Sequence, residues 1–446
     1  MPVIRPNAAD TSPGVEGILC ATLLAFFAVQ GAIPFIAPNQ ALETTGQAAS
    51  GLMFWGGILS QTAVYGSIAA LLLLDLPRIL RWLRAMRWTL GLALLAIASS
   101  VWSQFPSYTL RRSIPFAMAG LFGLWFALRY PVKRQLSILR MSMLGLALAT
   151  IIMVILFPGL ALDRSTGHVT DWQGIFTSKN ACGRIMVLAT AIVLGENRGV
   201  LRSLPPMLLF LFVIAMSGSR GAWVIEGGVL TVYGGICLML ASTRRSRIVL
   251  GMALACFTIT AAAVLMTHLK AAMALLGRDT TLSGRTQIWA QVWPFVITHP
   301  LLGWGYAGFW KGLEGEAFRV VAAVRFIVYH AHNGFLEIGL ELGAVGLAIF
   351  LCSYARAWRI LWLRMREARD RHLIWFLLLL LLIGLYDLDE NTLLIYNGLF
   401  WVVYVSVLCN LEFLRHEDRL AAELSLQHAV TSRMAHGALQ ESRNWD

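Results

Sequence analysis

Charge is scarce in this chain. Only 13% of its 446 residues are Asp, Glu, Lys or Arg, whereas 58% are hydrophobic. The mean hydropathy is +0.68. A soluble globular chain of this length has no use for so much apolar surface, so that class is excluded. Apolar–polar alternation over ten-residue units is missing, which excludes a membrane β-barrel. The six cysteines (Cys20, Cys182, Cys237, Cys256, Cys352 and Cys409) lie in or beside apolar runs with no Cys-x-x-Cys spacing. They imply neither a disulfide framework nor a thiolate metal centre, and read as small core residues. The zinc-protease, P-loop, dinucleotide-binding and nucleophile-elbow signatures are absent in any fitting context. So are internal repeats and low-complexity tracts.

What the chain does have is a succession of apolar runs near the length of a bilayer crossing. That pattern predicts an all-α polytopic membrane protein. About twelve spans are expected, at roughly 18–38, 52–74, 88–103, 113–130, 141–159, 181–196, 203–219, 222–242, 248–267, 335–355, 373–388 and 392–411. The run after the polar N-terminus is too long for a signal-peptide core and reads as an uncleaved first span. Residues 1–17 then form an N-terminal segment, 18–267 carry nine spans, 268–334 form one long loop, 335–411 carry three more spans, and 412–446 form a tail.

The 36 Lys and Arg outnumber the 24 Asp and Glu, giving a formal charge of +12. On a soluble protein this would suggest nucleic acid. Here 24 of the 36 cations fall in the termini and in one set of short loops, among them Arg78, Arg129, Arg140, Arg244 and Arg356. Cations collect on the cytoplasmic side, so both termini are expected there and the 268–334 loop outside. The charge is a topology signal, and no nucleic-acid partner is inferred.

The remaining twelve cations lie where topology disfavours them, in patterned stretches near helix ends. In WSQFPSYTLRRS (102–113), a Ser-Gln-Phe-Pro turn precedes Arg111 and Arg112. Guanidinium forks match phosphate oxygens, although snorkelling in an aromatic belt would also explain them. In DWQGIFTSKNACGR (171–184), Lys179 and Asn180 stand at an expected helix N-terminus capped by Ser178. Free amides and the helix dipole favour an anion there. SGSRGAW (217–223) makes a tight turn that leaves Arg220 at the membrane boundary, with Glu226 or a substrate phosphate as its partner. In LSGRTQIWAQVWPFVITHPLLGWG (282–305), Ile288, Val292, Phe295 and Val296 recur at helical spacing. This predicts an amphipathic helix flat on the membrane surface, ended at His299-Pro300, with Arg285 at its start.

The stretch AHNGFLEIGLELGAVGLAIFL (331–351) puts His332, Glu337 and Glu341 at the mouth of a span. An imidazole can take a proton from a hydroxyl near neutral pH, and either carboxylate could orient it or pair with an arginine. Alternatively His332 only caps the helix. Last, YDLDENTLL (386–394) carries an Asp-x-Asp at Asp387 and Asp389. Such a pair can hold a metal, or with Asn391 can serve as a counter-ion to the cationic face. No metal or other cofactor is assigned.

Taken in order, WSQFPSYTLRRS, FTSKNACGR, SGSRGAW, SGRTQIW and HNGFLEIGLELGAVG resemble the O-antigen ligase and exopolysaccharide polymerase superfamily of bacterial inner-membrane glycosyltransferases. The first two motifs look closest to the exopolysaccharide polymerase branch. The resemblance implies a GT-C-like fold and a periplasmic active site. It also implies an undecaprenyl-pyrophosphate-linked oligosaccharide as donor. The acceptor hydroxyl would lie on another lipid-linked repeat (polymerase) or on lipid A core (ligase). It points to Arg220 and Arg285 for the pyrophosphate, with Lys179, Arg112 and Arg325 as further candidates, and to His332 as the base. Asn333, Glu337 and Asn180 are candidates for acceptor binding or orientation. Partners would be membrane lipids and chain-length or export proteins. A lipid-glycan flippase and a non-catalytic scaffold are the competing classes. A flippase calls for midplane charges and duplicated broken helices, and a scaffold leaves the outward histidine and arginines without a role.

Overall fold

A computed structural model describes residues 14–31, 52–163, 170–196, 198–241, 284–312, 314–367 and 372–417, with isolated positions between 243 and 252 and at 423 and 427. Among these residues the protein is helical. The helices are α1 (Val15–Ala28), α2 (Leu52–Leu74), α3 (Leu76–Trp82), α4 (Arg87–Ala98), α5 (Pro106–Arg129), α6 (Val132–Leu156) and α7 (Lys179–Glu196). They continue with α8 (Val200–Met216), α9 (Arg220–Ala241), α10 (Arg285–Thr298), α11 (Ala317–Val324), α12 (Gly334–Glu367), α13 (His372–Asp389) and α14 (Leu399–Glu417). Six of them, α2, α6, α9, α12, α13 and α14, are long and apolar enough to cross a membrane. A helix lies at each expected span except 248–267, which falls outside the described residues.

Helix α7 is the centre of the bundle. Every residue from Ala181 to Gly195 is buried, and α6, α8, α9 and α13 all pack on it. Its sequence, rich in Ala, Gly, Cys and Val, lets neighbouring backbones come close, which is how helices associate where lipid gives no hydrophobic drive. Helix α5 begins about two turns earlier than hydropathy predicts. Pro106 supplies a pre-set φ at the helix start, so Arg111 and Arg112 lie in its second turn rather than ahead of it.

Side-chain pairings sort the helix ends into two groups. At one end Arg129 holds Glu16 through two hydrogen bonds of 2.6 and 2.8 Å, Arg140 meets Glu196 at 2.8 Å, and Arg356 grips Glu412. At the other end lie the starts of α7, α9 and α12, the finish of α13, and the 284–333 segment.

That segment carries a small hydrophobic core of its own. Ile288 and Val292 of α10 pack with Phe309, Trp310, Val320 and Leu340. The stripe expected to rest on the membrane surface is therefore the face that α10 buries against α11 and α12. Trp293 and Ile297 are the large hydrophobic side chains it leaves exposed. Helical periodicity marks a face as apolar without saying whether lipid or protein covers it.

Helix α12 is broken at Gly343, where φ is 64° and ψ is −166°. A Cβ there would sit 2.3 Å from the Leu301 carbonyl carbon. The break frees main-chain groups that loop 300–305 satisfies. Trp304 and Gly305 N–H donate to the Leu340 and Glu341 carbonyls at 2.9 Å, and Ala344 and Val345 N–H donate to Pro300 and Leu301 at 2.8 and 3.1 Å. Irregular backbone at membrane depth is tolerated when protein closes its hydrogen bonds in this way.

Candidate functional site

The site is assembled by the end of α13, the start of α12 and the start of α7. Asp387 Oδ1 accepts the Thr392 N–H at 2.9 Å and the Thr392 hydroxyl at 2.6 Å, folding the chain back after α13. Gly334 lies against the same carboxylate, 2.3 Å from where a Cβ would meet it, so only glycine lets α12 begin here. Asn333 caps α12 by accepting the Leu336 N–H at 2.9 Å. Just before the cap, His332 adopts a φ of 50°, in the left-handed region that non-glycine residues rarely occupy.

The His332 ring turns to Glu390, with Nδ1 3.1 Å from Oε2. The other oxygen of Glu390 accepts from Arg285 Nη2 at 2.9 Å and from Asn180 Nδ2 at 3.3 Å. Arg285 also grips Asp389. Burial opposes the charge on Glu390, but the imidazoles of His332 and His330 and the Arg285 guanidinium outweigh it. They hold this carboxyl well below its ordinary range. An ionised Glu390 selects the His332 tautomer with the proton on Nδ1 and the lone pair on Nε2.

His330 is the second imidazole, its centroid 4.0 Å from that of His332. Burial first, and then the neighbouring His332, push it down to about 3. Its Nδ1 accepts the His332 N–H at 3.1 Å, so its own proton sits on Nε2, 3.7 Å from Glu390. His330, His332 and Glu390 bring potential metal-ligand atoms within 4.8 Å of one another. The tautomer assignments favour a hydrogen-bonded cluster, because each ring nitrogen facing Glu390 carries a proton and offers no lone pair. The Asp-x-Asp pair does not converge either: Asp387 serves Thr392 and Asp389 serves Arg285.

These groups open onto a cavity of about 440 Å³, lined by Arg112, Arg184, His332, Glu337 and Glu341, with Tyr396 beside them. Arg112 is stacked between Tyr108 and Tyr396, 4.3 and 4.7 Å from the ring centroids. Arg184 is only 7% exposed. Its Nη1 donates to the Asn391 carbonyl at 3.2 Å, while its buried Nε has no partner among the described residues.

Residues 205–351 match the family described as O-antigen ligase. A curated relative, the exopolysaccharide production protein ExoQ of Rhizobium meliloti (strain 1021), is 28% identical over 308 residues, covering 66% of this chain and 69% of the relative. In these two comparisons the chain is similar to the O-antigen ligase and exopolysaccharide production proteins. Its six long apolar helices are those of a membrane protein, and both matches carry descriptions from polysaccharide synthesis.

The stretch matching the ligase family runs from α8 into α12. It contains Arg220, Arg285 and His332, while Arg112, Arg184 and Glu390 lie outside it. Of the candidate residues, His332, Arg112, Asn180 and Glu337 line the cavity. Arg285 stands behind Glu390. Arg220 opens α9 next to Ser219, whose hydroxyl donates to Asn180 Oδ1 at 3.1 Å. It is not part of the cavity wall, and neither are Lys179 and Arg325. Lys179 meets Asp171 at 2.6 Å, and Arg325 is an exposed left-handed residue closing α11.

Two pairings differ from expectation. Glu226 accepts the Thr190 hydroxyl at 2.7 Å rather than facing Arg220. A separation of six residues on a helix points two side chains to different faces. Glu337 likewise accepts the Ala331 N–H at 2.6 Å, so Glu390 and not Glu337 orients His332. Arg184, His330 and Glu390 carried no predicted role. The available signal for Arg184 was its position one helical turn after Asn180, which puts both on one face of α7.

Proposed function

We propose that this protein moves a glycan from undecaprenyl pyrophosphate to a sugar hydroxyl on the periplasmic face of a bacterial inner membrane, lengthening an exopolysaccharide. The observation that carries the reading is His332, held by Glu390 at 3.1 Å, opening onto a cavity that Arg112 and Arg184 line.

In this scheme Nε2 of His332 takes the proton of the acceptor hydroxyl. The oxygen then attacks the anomeric carbon on the side opposite the carrier. The bond from that carbon to the pyrophosphate oxygen breaks, and its electron pair leaves with the pyrophosphate. The configuration inverts, and the imidazolium afterwards gives its proton to water. Pyrophosphate is a good leaving group, so fixed cations aimed at it suffice and the scheme calls for no cofactor. Arg112 and Arg184 hold the diphosphate, and Arg285 adds positive charge from behind Glu390.

Orientation follows from charge. The opposite helix ends bear Arg129, Arg140 and Arg356 in the cation-rich loops, which supports a cytoplasmic location for that side. The Rhizobium relative is named for exopolysaccharide production, which fits lengthening of such a glycan. The matched family is described as O-antigen ligase, so a ligase, with lipid A core as the acceptor, is the second reading.

The test uses full-length protein in vesicles, supplied with the lipid-linked oligosaccharide extracted from cells lacking this chain. Wild type lengthens the glycan and His332→Ala does not. Normal product length and yield from correctly inserted His332→Ala would overturn the assignment. Transfer to added lipid A core with no lengthening would favour the ligase.

A further inference from the structure

The cavity holds a second buried polar atom without a partner, and it is an acceptor. Glu341 is 4% exposed, lines the cavity, and its Oε2 has no hydrogen-bond partner among the described residues. Glu337, one turn earlier on the same face, lies against it. Arg184 Nε and Glu341 Oε2 are thus an unmet donor and an unmet acceptor in the walls of one cavity. Buried polar groups rarely stay unpaired, so each marks a place where a polar ligand or water completes the bonding.

The two atoms ask for different chemistry. Arg184 and Arg112 suit an anion. Two carboxyl groups in hydrogen-bond contact share a proton, so the pair carries at most one negative charge; that charge disfavours a diphosphate or an acidic sugar, and the free oxygen accepts hydrogen bonds from hydroxyl or ammonium groups. The pair sits on the half-helix that starts two residues after His332, so a sugar held there has its hydroxyls next to the general base. The half-helix ends at the Gly343 break, where loop 300–305 fixes the Glu341 carbonyl at 2.9 Å, so the acidic pair stands on clamped backbone.

We propose that Glu341, backed by Glu337, is the acceptor subsite, and that it takes a neutral or amino sugar and rejects a uronic acid at the position being extended. This rests on the transferase reading above and names the acceptor class for the same cavity.

The experiment measures chain extension by the full-length protein in vesicles while the donor and the acceptor are varied separately. The acceptor probe is the free oligosaccharide released by mild acid from the same lipid-linked pool. Its binding to wild type and variant is also followed by calorimetry. Glu341→Gln, which ends the proton sharing with Glu337 and leaves the pair one carboxyl oxygen poorer, is expected to raise the acceptor KM about tenfold, with the donor KM moving less than about twofold. Glu341→Asp, which keeps the carboxyl group and withdraws it by one methylene, should fall between. It also serves as the variant if Glu341→Gln does not insert stably. Oxidising the oligosaccharide's terminal sugar to a uronate should abolish its binding to wild type. An unchanged acceptor KM, an equal rise in the donor KM, or undiminished uronate binding would each overturn the subsite. If wild type transfers nothing yet binds the free oligosaccharide in a Glu341-dependent way, the transferase reading fails and the subsite stands. Transfer that is indifferent to Glu341 gives the reverse.

Discussion

Glu390→Gln changes the shape of the site hardly at all and removes one negative charge, which makes it the most informative single substitution. Wild-type Glu390 reaches His332 at 3.1 Å, Arg285 at 2.9 Å and Asn180 at 3.3 Å. Asp389 remains to hold Arg285, so the effect concentrates on the imidazole. If the new amide donates to Nδ1, the ring proton moves to Nε2 and the base loses its lone pair. If it accepts instead, the hydrogen bond survives without its charge. A hydrogen bond to a charged group is worth about 1.5–3 kcal/mol, and about 1.4 kcal/mol corresponds to a tenfold change in rate. The bond also strengthens as imidazole becomes imidazolium. The expected fall in kcat is roughly 10²-fold, inside the ~10²–10⁴-fold range of a whole general base, with the donor KM little altered. The readout is the initial rate of glycan extension in vesicles by Glu390→Gln, His332→Ala and the double variant. Because Glu390 acts through His332, the double variant should be no slower than His332→Ala alone. A double variant that loses the product of the two single effects would refute the positioning role.

Arg184→Gln and Arg112→Gln should each raise the donor KM about tenfold, as loss of a charge-assisted phosphate contact does. Arg325→Gln, outside the cavity, should change it less than about twofold, and titrating the lipid-linked donor checks all three. Gly343→Ala should lower the melting temperature in detergent. Its backbone conformation costs about 1–3 kcal/mol for a residue with a side chain, and the new Cβ would meet the Leu301 carbonyl carbon at 2.3 Å. An unchanged melting temperature would contradict the break. His330 has a folded value of about 3 against an ordinary 6.5. Between those values the unfolded chain binds a proton that the folded chain refuses, so stability falls as pH drops from about 6.5, by at most ~1.4 kcal/mol per pH unit. His330→Gln should flatten the melting temperature between pH 7 and 5; an undiminished slope would count against it.

The helices were legible because apolar runs of bilayer length leave few alternatives, and His332 was legible because an imidazole beside Asn333-Gly334 at a helix start is locally conspicuous. The partners of these residues were not. Glu390 lies 58 positions from His332 and 105 from Arg285. What brings the three together is the packing of Gly334 against Asp387, a contact with no periodic signature. Local spacing misled where it was used for pairing: Glu226 turned to Thr190 across a helix contact, and Glu337 turned back to a main-chain N–H. Arg184 looked like one more cation among twelve. Its significance lies in an unpaired nitrogen, which only three-dimensional surroundings can reveal.

The four peptide hydrogen bonds that bridge Gly343 tie both halves of α12 to loop 300–305, two bonds to each half. The first half also lends Leu340 to the hydrophobic centre of the 284–333 segment. A chimera that exchanges residues 284–345 as one piece would carry Glu341 and His332 with all four of these bonds, leaving Glu390, Arg112 and Arg184 behind in the recipient. A cut placed between Leu301 and Gly343 would instead strand main-chain donors and acceptors on both sides of the joint. Acceptor preference is thereby separable from carrier recognition along a boundary that the backbone itself draws.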